Sequence, residues 1–188
     1  MSDRSFRILA YAGSLRRQSY NRGLVRAARE VAPQGVEVEI LDLAPIPMYN
    51  ADLDGENSPA PVREFRERIG AADALLIATP EYNYSVPGVL KNAIDWASRP
   101  WPNSVLRYKP AAIMGASGGT SGTVRAQLAL RQVFLYTETY VMLKPELHVP
   151  GGREKFDAEG TLKDEPTRER LRAHVEALAA WAHRLTAR

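Results

Sequence analysis

Hydrophobic residues fall into two rhythms along this chain. Short runs are apolar throughout or alternate with charge, as strands do; the segments between them repeat apolar residues every three or four positions, as helices do. The run Arg7-Ile8-Leu9-Ala10-Tyr11-Ala12 stops at Gly13 and predicts a buried first strand. Residues 21–31 carry Leu24, Val25, Ala27, Ala28 and Val31 at helical spacing, and Pro33 and Gly35 end that helix. Val36–Leu41 alternates with Glu37 and Glu39, so one face is wet and the strand belongs at a sheet edge. Ala74–Thr79 and Ala111–Ala116 are continuously apolar, as interior parallel strands must be, and Tyr140–Leu143 predicts a fifth strand.

Helices are predicted over 62–70, over 89–97, from a Gly/Ser-rich loop to about Tyr136, and over 167–187. Two polar stretches, 42–61 and 151–164, predict loops, the first long enough to suggest a functional or mobile segment. The helix Val89–Ala97 is polar only at Lys91, Asn92 and Asp95, with Ser98 just beyond. Its wide apolar arc needs cover besides the sheet, and a partner subunit is one such cover.

This alternation of strands and helices predicts an α/β, doubly wound three-layer sandwich with a five-stranded parallel sheet of order 2-1-3-4-5. In that order the loops after the first, third and fourth strands meet at one crevice, the place where such sheets bind ligands.

The first of these loops, Gly13-Ser14-Leu15-Arg16-Arg17-Gln18-Ser19-Tyr20-Asn21, leads into a helix N-terminus, where free N–H groups and the helix dipole favour an anion. Ser14, Ser19 and Asn21 supply donors; Arg16 or Arg17 supplies charge. It is neither a dinucleotide fingerprint nor a Walker loop, so a single phosphate monoester such as that of FMN suits it best. Simple helix capping by Ser19 or Asn21 is the plainer alternative. The second loop, Thr79-Pro80-Glu81-Tyr82-Asn83-Tyr84-Ser85-Val86-Pro87-Gly88, offers flat tyrosine faces and a backbone stiffened by proline, suited to a planar heterocycle or simply to local packing. The third, Gly115-Ala116-Ser117-Gly118-Gly119-Thr120-Ser121-Gly122, allows close backbone approach and carries hydroxyls for ribityl or phosphate oxygens. Glu81 is the sole acidic residue in these loops. Binding chemistry without acid–base machinery suggests that a cofactor carries the reaction and that no side chain is catalytic.

Composition narrows the picture further. At 188 residues and 20.9 kDa, residues 1–188 should form a single domain. Cysteine is absent, which excludes disulfides, thiolate catalysis and Cys-ligated metal. His148, His174 and His183 are scattered, so a structural or surface role fits each better than a metal site. The net charge of +3 rests on 20 arginines against five lysines. These are dispersed, which favours a small phosphate-bearing ligand over nucleic acid. Met1–Arg7 is polar, and no apolar run approaches the roughly 20 residues that span a bilayer, so no membrane role and a cytoplasmic location are expected.

These residues resemble the NADPH-dependent FMN reductase family, the flavodoxin-like quinone, chromate and azo reductases. The pattern G-S-L-R-x-x-S-x-N is met by Gly13, Ser14, Leu15, Arg16, Ser19 and Asn21, and P-E-Y-N-x-S-x-P-G-x-L-K-N-A-I-D-W-x-S-R-P from Pro80 through Pro100. The resemblance implies a flavodoxin-like fold, bound FMN, NADPH or NADH as co-substrate, a small-molecule electron acceptor, and homodimers that can pair into homotetramers. By position it implies that Ser14, Leu15, Arg16, Ser19 and Asn21 hold the FMN phosphate. Pro80, Glu81, Tyr82 and Asn83 would line the isoalloxazine ring, and Ser117, Gly118 and Gly119 would flank ribityl and ring. Helix Val89–Ala97 would be the dimer surface. Arg125 and Glu146 resemble polar positions used between dimers in some relatives, and Arg17 is a candidate for the NADPH 2′-phosphate. A non-catalytic electron carrier or a redox-sensing module is the alternative; the +3 charge argues against an acidic docking surface of the carrier type.

Overall fold

A computed structural model describes residues 5–186; part of the polar Met1–Arg7 segment and the end of the predicted last helix lie outside these residues. Strands β1 (Phe6–Ala12), β2 (Val36–Leu41), β3 (Ala74–Ala78), β4 (Pro110–Ala116) and β5 (Tyr140–Val141) form a parallel sheet of order β2-β1-β3-β4-β5. The helices are α1 (Tyr20–Glu30), α2 (Ala60–Ala71), α3 (Gly88–Ala97), α4 (Val124–Tyr136), the single turn α5 (Gly152–Lys155) and α6 (Glu165–Thr186). The expected α/β three-layer sandwich and strand order are present.

Strand alternation divides the core in two. Ile8, Ala10, Leu76 and Met114 face α1 and α6, where they meet Leu24, Val25, Leu171 and Leu178. Leu9, Tyr11, Leu75, Ile77 and Ile113 face α2, α3 and α4, where they meet Phe65, Leu90, Ile94 and Phe134. Every residue of β3 and β4 is buried, which is why both read as unbroken apolar runs. At the β2 edge, Glu39 lies between Arg68 at 2.6 Å and Arg7 at 3.4 Å, which covers part of the unpaired strand with charge.

The apolar arc of α3 is covered by the chain itself. Trp96 is fully buried, and its Nε1–H donates to the Pro47 carbonyl at 2.8 Å. Asn92 accepts the Tyr49 N–H at 2.7 Å and donates to the Pro47 carbonyl at 2.8 Å. Arg66 pairs with Asp54 at 2.7 Å and donates to the Trp96 carbonyl. The long 42–59 segment, which holds two short 3₁₀ turns (Ala51–Leu53 and Gly55–Asn57), is therefore the lid over α3. The outward face of α3 carries the Lys91–Asp95 ion pair instead.

The fifth strand is shorter than its pattern predicts. It covers Tyr140–Val141; the chain then leaves the sheet and returns as β6 (Leu147–Val149), beside Met114–Ala116 of β4. Pro145 lies in the interruption, and a proline has no N–H to give to a ladder. The freed carbonyls find side chains: Arg131 donates to Met142 O at 3.2 and 3.1 Å, and the His174 ring bonds Pro145 O at 3.0 Å. The polar 151–164 stretch is also more ordered than a loop. It holds α5 and a Phe156–Leu162 bridge that sends both side chains into the core.

Candidate functional site

Three loops converge at the carboxyl ends of β1, β3 and β4. The first is held close to α3: Gly13 N–H donates to Ala78 O at 2.9 Å, and a Cβ at Gly13 would lie 3.0 Å from Leu90 and Pro87. Glycine is what lets the strand turn there. Ser14 is buried, with its hydroxyl 3.4 Å from the Tyr82 hydroxyl. Leu15, Arg16 and Arg17 are exposed, and Arg16 stands over the Tyr20 ring, 5.4 Å from its centroid. Ser19 is the N-cap of α1 and accepts from the Asn21 and Arg22 N–H groups. Its hydroxyl hydrogen remains available to an anion at the helix start.

Asn21 is tied to the third loop. Its Nδ2 donates to the Ala116 carbonyl and its Oδ1 accepts the Ala116 N–H, both at 2.9 Å. The carboxamide binds the first loop to the third and keeps its second Nδ2 hydrogen for another acceptor.

The second loop is a tight hairpin. Tyr82 and Ser85 exchange backbone hydrogen bonds at 3.2 and 3.0 Å, across Asn83 and Tyr84 at φ of 50° and 68°. A bulky residue with positive φ is strained, and such strain gathers at functional sites. Tyr82 and Tyr84 are exposed beside the crevice; Pro80 is buried at its base. The Glu81 side chain is held at the start of α4. Its carboxylate accepts the Arg125 and Ala126 N–H groups at 3.0 and 3.3 Å and pairs with the Arg125 guanidinium. Burial alone would raise this carboxyl; the bonds from Arg125 and the α4 backbone outweigh it and hold the group below the usual carboxylate range.

The third loop is open. Gly118 and Gly119 are exposed, and a Cβ at Gly119 would meet nothing within 4 Å. Ser117 donates to Gly119 O at 3.2 Å and accepts the Gly122 N–H at 3.1 Å. Gly115, before this loop, has no room for a side chain, since a Cβ would collide with Thr123 Oγ1 and Thr79 O. Tyr20 and Arg153 flank Gly118, each with an atom within 4 Å of the position a Cβ would take. Arg153 is not legible as a site residue in sequence, because α5 reads as polar loop. Glu146 pairs with Lys144 at 2.8 Å, and Arg125 with Glu81, so both have partners within the chain.

Residues 6–154 match the model of the NADPH-dependent FMN reductase family. The chain is 48% identical over 185 residues to the NAD(P)H-dependent FMN reductase of Pseudomonas aeruginosa, covering 98% of this chain and 99% of that one. The chain belongs to the NADPH-dependent FMN reductase family. A 2-hydroxy-1,4-benzoquinone reductase from a Burkholderia species is 43% identical, over 94% of this chain and 96% of that one. Among solved structures, the flavoenzyme FerB, an NAD(P)H:(acceptor) oxidoreductase of Paracoccus denitrificans, superposes with a TM-score of 0.85 at 36% identity, over 95% of this chain and 97% of that one.

As a member of the NADPH-dependent FMN reductase family, this protein is an oxidoreductase with FMN as cofactor and NAD(P)H as reductant, on a flavodoxin-like fold. Its residues fit FMN. The Ser14 and Ser19 hydroxyls and the Arg16 guanidinium, at the positive end of the α1 dipole, make a donor set for a dianionic phosphate. Exposed tyrosine faces and an open diglycine leave space for a flat ring.

Proposed function

We propose that the chain accepts hydride from NADPH or NADH on bound FMN and passes two electrons to a small acceptor of the quinone, chromate, azo or free-flavin kind. The observation that carries this reading is the meeting of three loops around Ser14, Tyr82 and Ala116, where the single carboxylate is bound elsewhere. FMN, when bound, supplies the redox chemistry. The side chains hold and orient. Ser14, Arg16 and Ser19 would hold the phosphate beside the positive end of the α1 dipole, and Leu15 would shield it. The backbone of Pro80, Glu81 and Asn83 lies along the ring edge, and Tyr82 shapes its open face. Ser117, Gly118 and Gly119 flank the ribityl chain, while Asn21 keeps the first and third loops in register. With the Glu81 carboxylate bound to α4, proton uptake by the acceptor falls to solvent or to the tyrosine hydroxyls.

We place the second copy against the exposed apolar side chains of α4, since residues 42–59 cover the apolar arc of α3. Leu128, Leu135 and Tyr136 are 55%, 81% and 70% exposed, and Trp101 stacks on Tyr136 with centroids 5.5 Å apart. A homodimer formed on this face, able to pair into a tetramer, fits the reading, with residues 1–188 as one unit working beside the cytoplasmic NAD(P)H pool.

The test is an absorbance spectrum of the purified protein supplied with FMN, before and after anaerobic NADPH, followed by a benzoquinone. The expected result is a flavin band that bleaches and then returns. A colourless protein that takes up no FMN overturns the reading; bleaching without acceptor turnover makes it a carrier or sensor instead.

A further inference from the structure

α4 begins without a cap of its own. Thr123 stands at the N-cap position with φ 68° and makes no side-chain cap bond. The free N–H groups of its first turn are met from another loop, by Glu81, 44 and 45 residues away in sequence. The Glu81 side chain is 6% exposed, so this acceptor is shielded from water, where charge-assisted bonds are strong. Arg125 closes the arrangement. Its guanidinium pairs with Glu81 and lies 3.7 Å from the centroid of the Tyr84 ring. The same hairpin reaches Ser14 through the Tyr82 hydroxyl on its other side. A strained turn of two exposed tyrosines is thus tied to a helix by one buried carboxylate and one stacked cation.

We propose that the Glu81–Arg125 pair positions the Tyr82–Ser85 hairpin at the mouth of the flavin crevice, and thereby sets how tightly the acceptor is held over the ring. Arg125 and Glu81 are positioning residues here; neither touches the reacting atoms. The proposal rests on the flavin-reductase reading. Without the pair, the left-handed Tyr84 loses the cation stacked on its ring, and the Tyr82 face no longer stands at a fixed height.

The experiment uses the full chain with Arg125→Ala, Arg125→Lys and Glu81→Gln, in two arms. In the first, the FMN-free protein is treated with chymotrypsin and cleavage after Tyr82 or Tyr84 is followed by fragment mass. Arg125→Ala should speed this cleavage about ten-fold, the scale set by loss of a cation–π contact and its ion pair. Arg125→Lys should restore much of the protection. In the second arm, the FMN-loaded enzyme should show KM for a benzoquinone raised about ten-fold with kcat within about two-fold, the pattern of lost substrate positioning. Glu81→Gln, which keeps an acceptor for α4 but removes the charge, should fall between wild type and Arg125→Ala in both arms. Unchanged cleavage, an unchanged KM, or a fall in kcat alone overturns the proposal. So does a lowered melting temperature that accounts for the whole loss while the hairpin stays protected. Failure of the flavin reading is seen separately, as wild-type protein that takes up no FMN.

Discussion

Asn21 and Ala116 form a closed two-way hydrogen bond, side-chain amide to main-chain peptide, across 95 positions of sequence. Both residues are buried. The pair does for the site what a crosslink would do: it sets the distance between the phosphate-side loop and the glycine-rich loop, whatever occupies the space between. Asn21→Ala leaves the Ala116 N–H and carbonyl buried without partners. Each such group costs about 1–3 kcal/mol, so a loss of about 2–6 kcal/mol is expected for the two. Thermal denaturation should record a drop of about 10 °C. Asn21→Asp should be no better, since it places a carboxylate oxygen against the Ala116 carbonyl. A variant melting with wild type would remove Asn21 from this role.

Arg16 carries the only side-chain charge we assign to the phosphate. Its guanidinium rests on Tyr20 in the open, so Arg16→Ala should leave the melting temperature of the FMN-free protein unchanged. A charge-assisted bond contributes about 1.5–3 kcal/mol, so FMN affinity should weaken about 10- to 100-fold. Fluorescence titration of FMN reads this directly, and riboflavin, which lacks the phosphate, should bind wild type and variant alike. Equal loss for both ligands would move the phosphate elsewhere.

His174 makes stability depend on pH. Its ring is buried beneath the interrupted strand, Nδ1–H donates to the Pro145 carbonyl, and Nε2 has no partner among the described residues. Burial, with the nearby Arg131, His148 and Arg170 charges, pulls its pKa from 6.5 down to about 4. The unfolded chain therefore takes the proton first as pH falls. The His174 contribution, on the order of 3 kcal/mol, is complete above pH 6.5 and disappears between there and pH 4. Urea midpoints across that range should fall with pH, and His174→Gln should flatten the slope. A wild-type midpoint constant from pH 7 to 4 would contradict the assignment.

The α4 face makes a prediction about assembly. Leu128→Asp with Leu135→Asp puts two charges into the exposed apolar stripe, where a like copy would have to bury them. Sedimentation velocity should show wild type as a dimer or larger and the double variant as a monomer. Lys91→Glu on the outward face of α3 should leave the state unchanged. The reverse pattern would return the interface to α3.

Much of this was legible in one dimension. The apolar runs of β3 and β4, the alternation of β2 and the helical spacing of α1 are local patterns, and local patterns report which face of an element is dry. From them follow the layers, the strand order and the three loops at one end of the sheet. The break between β5 and β6 was not legible, because a strand of two residues and another of three carry too little periodicity to read. The wide apolar arc of α3 was read correctly as needing cover, but its pattern could not say what covers it.

Residue types and their order along the chain were enough to specify the sheet, the crevice and the chemistry gathered there, since burial and periodicity are properties of neighbours in sequence. They did not specify partners. Asn21 reads as a donor in the first loop, and the fold binds it to Ala116; Glu81 reads as a residue beside a ring, and the fold binds its carboxylate to α4; residues 42–59 read as a functional or mobile loop, and the fold sets Pro47 against Trp96. A polar group has fixed capacity for hydrogen bonds, and which of many distant groups fills it is settled when the chain packs.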